Sequence, residues 1–308
     1  MDALQYVNEL TPSQIRQTQD DSHACWGAGN ELEERIQRLQ ELLALAGPNR
    51  FRLSGLSDEN GFVPVSMKRH DLLLNVAGQP KKTLGIGAVF TTEASRNKGL
   101  AKQLLEFALG EATKEGYELA LLFSEISPEY YKRLSFVEVP AWRCHFDVAS
   151  LPKAHPLDIH AATPNEAPKL LNWYEKSWPR DFTRLVRDDF RWNFFRKRMG
   201  SSTDLIFSDG NGEGGYLTLS MGKAGSLWID ELVTTRPLLD RAWATIAKLA
   251  REKKIDEVRG FIPPFLLPNV VSEIQRRDKA VPMLKELRPH ALDGLVNEKA
   301  HFNGPDLF

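Results

Sequence analysis

Cysteine is scarce in this chain of 308 residues. Cys25 and Cys144 are isolated from one another and form no C-x-x-C. That argues against a disulfide scaffold, a structural zinc site and a dithiol redox centre. His23 and His145 fall at no ligand spacing, so no metal is expected. An excess of one charge is also missing: 40 Lys and Arg face 41 Asp and Glu, a net charge of −1. This balance argues against a general nucleic-acid binder. No apolar run approaches the roughly 20 residues of a membrane helix. The opening residues, Met1-Asp2-Ala3-Leu4-Gln5, have neither the basic start nor the apolar stretch of a signal peptide. The expectation is a chain with no membrane and no nucleic-acid partner, cytoplasmic by default.

What is present is an ordinary globular balance, 42% hydrophobic and 26% charged, in a chain long for one core and comfortable for two. Ser150-Leu151-Pro152-Lys153-Ala154-His155-Pro156 is short, polar and proline-bearing, as linkers are. It predicts domains at 1–149 and 157–308. In the first, Thr11-Pro12 reads as a helix cap with a first-turn proline. Residues 31–45 carry Leu32, Ile36, Leu39, Leu42 and Leu43 at helical spacing. Residues 51–56, 62–67 and 72–76 read as strands, with Asp58-Glu59-Asn60-Gly61 as a hairpin turn. The second domain repeats this order. Strand 157–162 precedes helices from Pro164 and over 184–197, then strands 204–208, 215–221 and 225–233, a helix over 236–253 and a strand over 257–262. Trp173, Trp178, Trp192, Trp228 and Trp243 read as core of that domain.

The most informative block is 84–136. An apolar strand (LGIGAVF, 84–90) runs into Arg96-Asn97-Lys98-Gly99-Leu100-Ala101, an R-x-x-G-x-A turn. Leu100, Leu104, Leu105, Ala108 and Leu109 then recur at helical spacing. A buried-looking strand, LALLF (119–123), and Tyr130-Tyr131-Lys132-Arg133-Leu134-Ser135-Phe136 follow. A strand running into a helix leaves the first helical N–H groups unpaired and aimed at the turn, which suits an anion. Gly99 allows close backbone approach, and Arg96 and Lys98 add positive charge.

This block resembles the GNAT N-acetyltransferases. The turn is similar to that family's acetyl-CoA loop, and residues 130–136 to its F-Y-x-x-x-G-F run, with Tyr for Phe and Ser for Gly. The second half is similar to a degraded copy, because its turn, Thr234-Thr235-Arg236-Pro237-Leu238, lacks the glycine pattern and Pro237 donates no N–H. The tandem order resembles the Eis-type acetyltransferases, without their sterol-carrier-like domain. The fold class implied is α/β (α+β): two units, each a mixed sheet flanked by helices, the second degenerate.

The resemblance implies an acetyl-CoA-dependent N-acetyltransferase acting on a small-molecule or protein amine. The alternatives are a non-catalytic acyl-CoA sensor and an interaction protein. For the cofactor it implies main-chain donors from Asn97 to Ala101 and a splayed strand at Ala88, Val89, Phe90 and Thr91 along the pantetheine arm. Arg96 and Lys98 serve as phosphate partners or as solvated loop charges. Tyr131 is implied as the general acid, since a phenol with pKa ~10 stays protonated at neutral pH. The alternative turns Tyr131 into the core and Tyr130 to the site, because adjacent helical residues point about 100° apart. Glu93, where the family often has proline, and Glu125 are candidate bases. Trp26 and Glu31 read first as a core aromatic and a first-turn charge; by resemblance they line the acceptor cleft. The Phe308 carboxylate either assists deprotonation, as Eis-type enzymes imply, or docks on the second unit. A sheet edge leaves room for a homo-oligomer.

Overall fold

The computed structural model describes residues 4–307 apart from 28, 201, 211–212, 223–224, 271–272 and 297–298. Phe308 lies outside the described residues. The chain forms two compact units. One comprises the residues up to Val139 together with Val281–Gly294, and the other comprises Pro140–Ala280 and Leu295–Leu307. The expected linker around 149–157 therefore falls inside the second unit.

In the first unit, β1 (Gln5–Val7) leads to α1 (Pro12–Asp21), α2 (His23–Trp26) and α3 (Leu32–Arg50), the last interrupted at Gly47. Thr11 caps α1 through the reciprocal bonds with Gln14 that a capping box makes. Then come β2 (Phe51–Ser57), β3 (Val65–Val76), β4 (Gln79–Thr91), α4 (Leu100–Lys114), β5 (Leu119–Ser124), α5 (Glu129–Lys132) and β6 (Val137–Glu138). The expected strands 62–67 and 72–76 merge into the single strand β3, whose burial on both faces hides the alternation that marks strand limits. The hairpin turn at 58–61 closes as expected, with Asp58 N–H donating to Phe62 O at 2.9 Å.

The second unit contains β7 (Trp142–Asp147), β8 (Asp158–Ala161), α6 (Ala167–Ser177), β9 (Arg184–Val186), α7 (Asp189–Met199), β10 (Thr203–Ser208), β11 (Gly214–Met221), β12 (Leu227–Val233), α8 (Leu239–Glu252), β13 (Glu257–Gly260) and β14 (Glu273–Arg276). The helix expected over 184–197 is a correction. Residues 184–186 are extended, and the helix begins only after Asp188, whose side chain accepts from Arg191 N–H at 2.7 Å. Trp178, Trp192 and Trp243 are buried in this unit, and Trp243 donates to Leu266 O at 2.9 Å. The chain then returns to the first unit as β15 (Val281–Glu286).

The two sheets follow one plan. The first runs β1-β2-β3-β4-β5-β15-β6 and the second β8-β10-β11-β12-β13-β7-β14. In each, the fourth and fifth strands are parallel and the rest antiparallel. The sixth place in each sheet is filled from the other half of the sequence: β15 pairs with β5, and β7 with β13. Each unit thus has a strand that the other half supplies.

In the first unit α4 lays Leu100, Leu104, Leu105, Ala108, Leu109 and Ala112 on the sheet, against Leu84, Ile86, Ala120 and Leu122. Leu104 and Leu105 are fully buried, and each such leucine contributes roughly 1.5–3 kcal/mol of burial. This packing fixes the N-terminus of α4 at the carboxyl ends of β4 and β5, which positions the site.

Candidate active site

β4 and β5 pair in register from Thr83↔Leu119 to Ile86↔Leu122. Beyond that point β4 bulges. Ser66 faces Phe90 and Lys68 faces Gly87, so Ala88 and Val89 together oppose Met67. Ala88 adopts a left-handed backbone, φ 47°. A bulge kinks one strand out of its ladder, and the described pairing of β4 with β5 stops at Ile86 and Leu122, short of the ends of both strands at Thr91 and Ser124.

The chain then makes a short 3₁₀ turn, Glu93–Ser95, with Thr92 N–H bonded to Pro64 O at 2.9 Å. Asn97 (φ 61°) and Gly99 (φ 77°) are both left-handed and fold the loop tightly onto the start of α4. Asparagine tolerates that conformation and glycine is free in it. Gln103 N–H is the first to bond back, to Gly99 O at 3.1 Å. The N–H groups of Leu100, Ala101 and Lys102 precede it and have no partner inside the helix. A Cβ placed on Gly99 would meet nothing within 4 Å, so the turn faces open space.

That space is a cavity of about 490 Å³. Thr91, Arg96, Asn97, Gly99, Leu100, Ala101 and Lys102 form one side, and Tyr130, Arg133 and Leu134 the other. No carboxylate is among the described lining residues. Arg96 bends back so that Nε donates to Thr91 O at 3.4 Å, and it makes no ion pair among the described residues. Unpaired helix N–H groups, guanidinium groups and an open left-handed turn together suit a pyrophosphate, and the residues fit an acetyl-CoA.

The expected residues divide. Thr91, Arg96, Asn97, Gly99, Leu100 and Ala101 meet at the cavity, whereas Lys98, Ala88, Val89 and Phe90 do not line it. Ala88 and Val89 form the bulge. Phe90 is buried and meets Trp26 edge-on, ring centroids 5.5 Å apart at 64°. Trp26 is not a core residue: 43% of it is exposed, and the contact with Phe90 holds α2 at the end of β4. Glu31 is the exposed residue just before α3, and its side chain makes no cap bond. Glu93 and Glu125 are exposed at the ends of β4 and β5 and do not line the cavity. Tyr131 packs in the core with Leu104, Leu105 and Phe136, and burial pushes its phenol up to about 12. Tyr130 lines the cavity instead. Arg133 was not expected at the site, yet helical spacing could have found it, because residues three apart share a face with Tyr130.

Residues 7–138 match the family model described as acetyltransferase (GNAT) domain. This first unit is a GNAT acetyltransferase domain. No curated protein is similar enough to count as a match. Among solved structures, the chain resembles a GCN5-related N-acetyltransferase from Kribbella flavida at TM-score 0.71 and 19% identity, over 94% of this chain and 73% of that one. It resembles another from Anabaena variabilis at TM-score 0.71 and 16% identity, over 94% and 74%. Eis1 from Mycobacterium abscessus is similar at TM-score 0.58 and 14% identity, over 85% and 73%. At these identities the likeness is one of fold. It covers both units, so the fold is that of two GNAT-like units in tandem.

The second unit keeps the plan and alters the site. β12 also bulges, with Thr218 opposite Glu231, Leu219 opposite Ile229 and Asp230 extra. Here a buried ionic cluster stands at the bulge. Arg187 bonds Glu231 through both terminal nitrogens, at 2.9 and 2.8 Å, and Asp306 at 2.7 Å. Tyr216 Oη donates to Glu231 at 2.6 Å and Asn303 Nδ2 at 2.7 Å. Arg187, Glu231 and Asp306 are sealed from solvent. Arg187 and Arg196 outweigh the cost of burial and hold Glu231 below its usual range. Gly304 lies so close to β12 that an added Cβ would sit 2.9 Å from Asp230 Oδ1. The segment 303–306 therefore covers the strand that corresponds to β4.

Proposed function

We propose that this protein is an acetyl-CoA-dependent N-acetyltransferase that transfers an acetyl group to a primary amine by direct attack in a ternary complex. The observation that carries the reading is the cavity at the start of α4, where unpaired N–H groups, Arg96 and a left-handed Gly99 meet. Acetyl-CoA supplies the activated acetyl thioester when bound. Main-chain N–H groups of Leu100 and Ala101 hold its pyrophosphate, with Arg96 beside them. The bulged end of β4 gives the pantetheine arm a strand edge to pair with.

The likeness of residues 130–136 to the family run assigns Tyr131 as the proton donor to the departing thiolate, from the core just behind the cavity wall. Burial keeps its phenol protonated throughout the neutral range. Tyr130, on the cavity wall, is the competing phenol. An amine that arrives as an ammonium must lose a proton, and the strand ends supply Glu93 and Glu125, each acting through water. Trp26 offers an exposed aromatic face to a cationic acceptor. The acceptor is a small-molecule or protein amine.

Titration calorimetry tests the reading. Acetyl-CoA should bind the wild type and fail to bind an Arg96→Ala, Gly99→Glu double variant. An amine panel with Tyr131→Phe as control then tests turnover. A wild type that binds no acetyl-CoA rules the reading out.

A further inference from the structure

The cations around the cavity belong to two walls with different surroundings. On the α4 wall, Lys102 has Glu106 Oε1 at 3.7 Å, so its charge is shared along the helix. On the α5 wall, neighbouring Lys132 is engaged twice, by Glu129 at 2.7 Å and Glu138 at 3.3 Å. Arg133 differs. Among the described residues it makes no ion pair, and the cavity it lines has no carboxylate in its wall. A guanidinium kept free of acids, across from a helix N-terminus already equipped for one anion, is a second anion locus. Tyr130, three residues back on the same face, sets an aromatic ring beside it.

This inference rests on the acetyl-CoA reading above. Acetyl-CoA carries phosphate in two places, the pyrophosphate and the 3′-phosphate of its ribose. The N–H groups of Leu100 and Ala101, with Arg96, account for the first. We infer that Arg133 binds the 3′-phosphate, and that the α5 wall selects CoA thioesters over thioesters that lack it. The geometry of a guanidinium suits a phosphate, which it can meet with two parallel N–H bonds. A ring beside it suits the attached nucleoside, since bases stack on aromatic side chains. Thioesters carried on a protein-bound phosphopantetheine, with no nucleotide, would lose both contacts.

Calorimetry with CoA and dephospho-CoA, on wild type, Arg133→Ala and Arg96→Ala, tests this. Arg133 is exposed, so its truncation leaves the fold intact. The wild type should prefer CoA by about tenfold, the scale of one charge-assisted pair near a surface. Arg133→Ala should weaken CoA by about that factor and leave dephospho-CoA within about twofold, which abolishes the preference. Arg96→Ala should weaken both ligands alike. A wild type that binds CoA and dephospho-CoA equally overturns the inference and leaves the acetyl-CoA reading standing. Equal loss of both ligands in Arg133→Ala also overturns it, because Arg133 would then serve the pyrophosphate. A wild type that binds neither ligand overturns the reading and the inference together.

Discussion

The rings of Tyr130 and Tyr131 meet edge to face, with centroids 5.0 Å apart and planes at 84°. One phenol lines the cavity and the other is 9% exposed in the core beside it. The pair makes the acid assignment a test between neighbours. A positioned general acid contributes on the order of 10²-fold or more. Tyr131→Phe should therefore lower kcat by about 10² and leave acetyl-CoA affinity within about twofold. Tyr130→Phe should change kcat by less than about threefold. Steady-state kinetics on both variants reads this directly, and the reverse pattern would move the role to Tyr130.

The same burial has a stability consequence. The folded-state pKa of Tyr131 is raised to about 12, above the ~10 of an unfolded tyrosine. The fold thus favours the protonated phenol. That contribution is fully present below about pH 10 and is lost as pH rises through about 12. Between those values, wild-type unfolding free energy should fall more steeply than that of Tyr131→Phe. Urea denaturation of both proteins across the window checks it, and parallel curves would contradict it.

Gly99 separates backbone conformation from bulk. Its φ of 77° is left-handed, but a methyl group there would touch nothing. Gly99→Ala should cost about 1 kcal/mol of stability from strain alone. It should weaken acetyl-CoA by more than that strain implies, because the methyl enters the ligand's space. Melting temperature and calorimetric Kd together separate the two effects. An unchanged Kd would place the ligand away from the turn.

The cluster in the second unit is sealed from solvent, so its measurable effect is on stability. Asp306 is fully buried, bonded by Arg187 at 2.7 Å and by Asn303 N–H at 2.9 Å. Asp306→Ala leaves a buried guanidinium only half matched, which costs about 3–5 kcal/mol. Asp306→Asn keeps an acceptor and should cost less. Chemical denaturation measures both. A loss below about 1 kcal/mol would mean that Arg187 is held by Glu231 alone.

The turn at 96–101 was legible because its chemistry is local. Glycine conformation, an uncapped helix start and the spacing of Leu100, Leu104 and Leu105 all act within one turn and one helix. The exchange of β7 and β15 was not. Trp142–Asp147 reads as a strand wherever it pairs, and nothing in its sequence says that its partner is Glu257–Gly260. The prolines at 152 and 156 mark a loop, but a loop inside a unit has the same composition as a linker. Arg133 and Trp26 were visible as residues, and their places came only from pairings: Arg133 with Tyr130 on one face, Trp26 with Phe90 across two elements.

The internal repeat makes a prediction about number. Both units have parallel central strands and a bulge, so a count of folds would give two cofactor sites per chain. Two observations argue for one. The turn after β12 is Thr234 to Leu238, where Pro237 removes an N–H from the helix start and no glycine opens the loop. The strand itself is covered: Asn303 reaches Glu231 at 2.7 Å, and Gly304 lies against Asp230. A pantetheine arm would have to displace a segment tied down by Arg187 and a buried capping box between Asn303 and Asp306. Calorimetric titration of acetyl-CoA should therefore give one site per chain, abolished by the Arg96→Ala, Gly99→Glu double variant. A second site that survives those substitutions would show that segment 303–306 yields to ligand, and that the second unit binds cofactor in its own right.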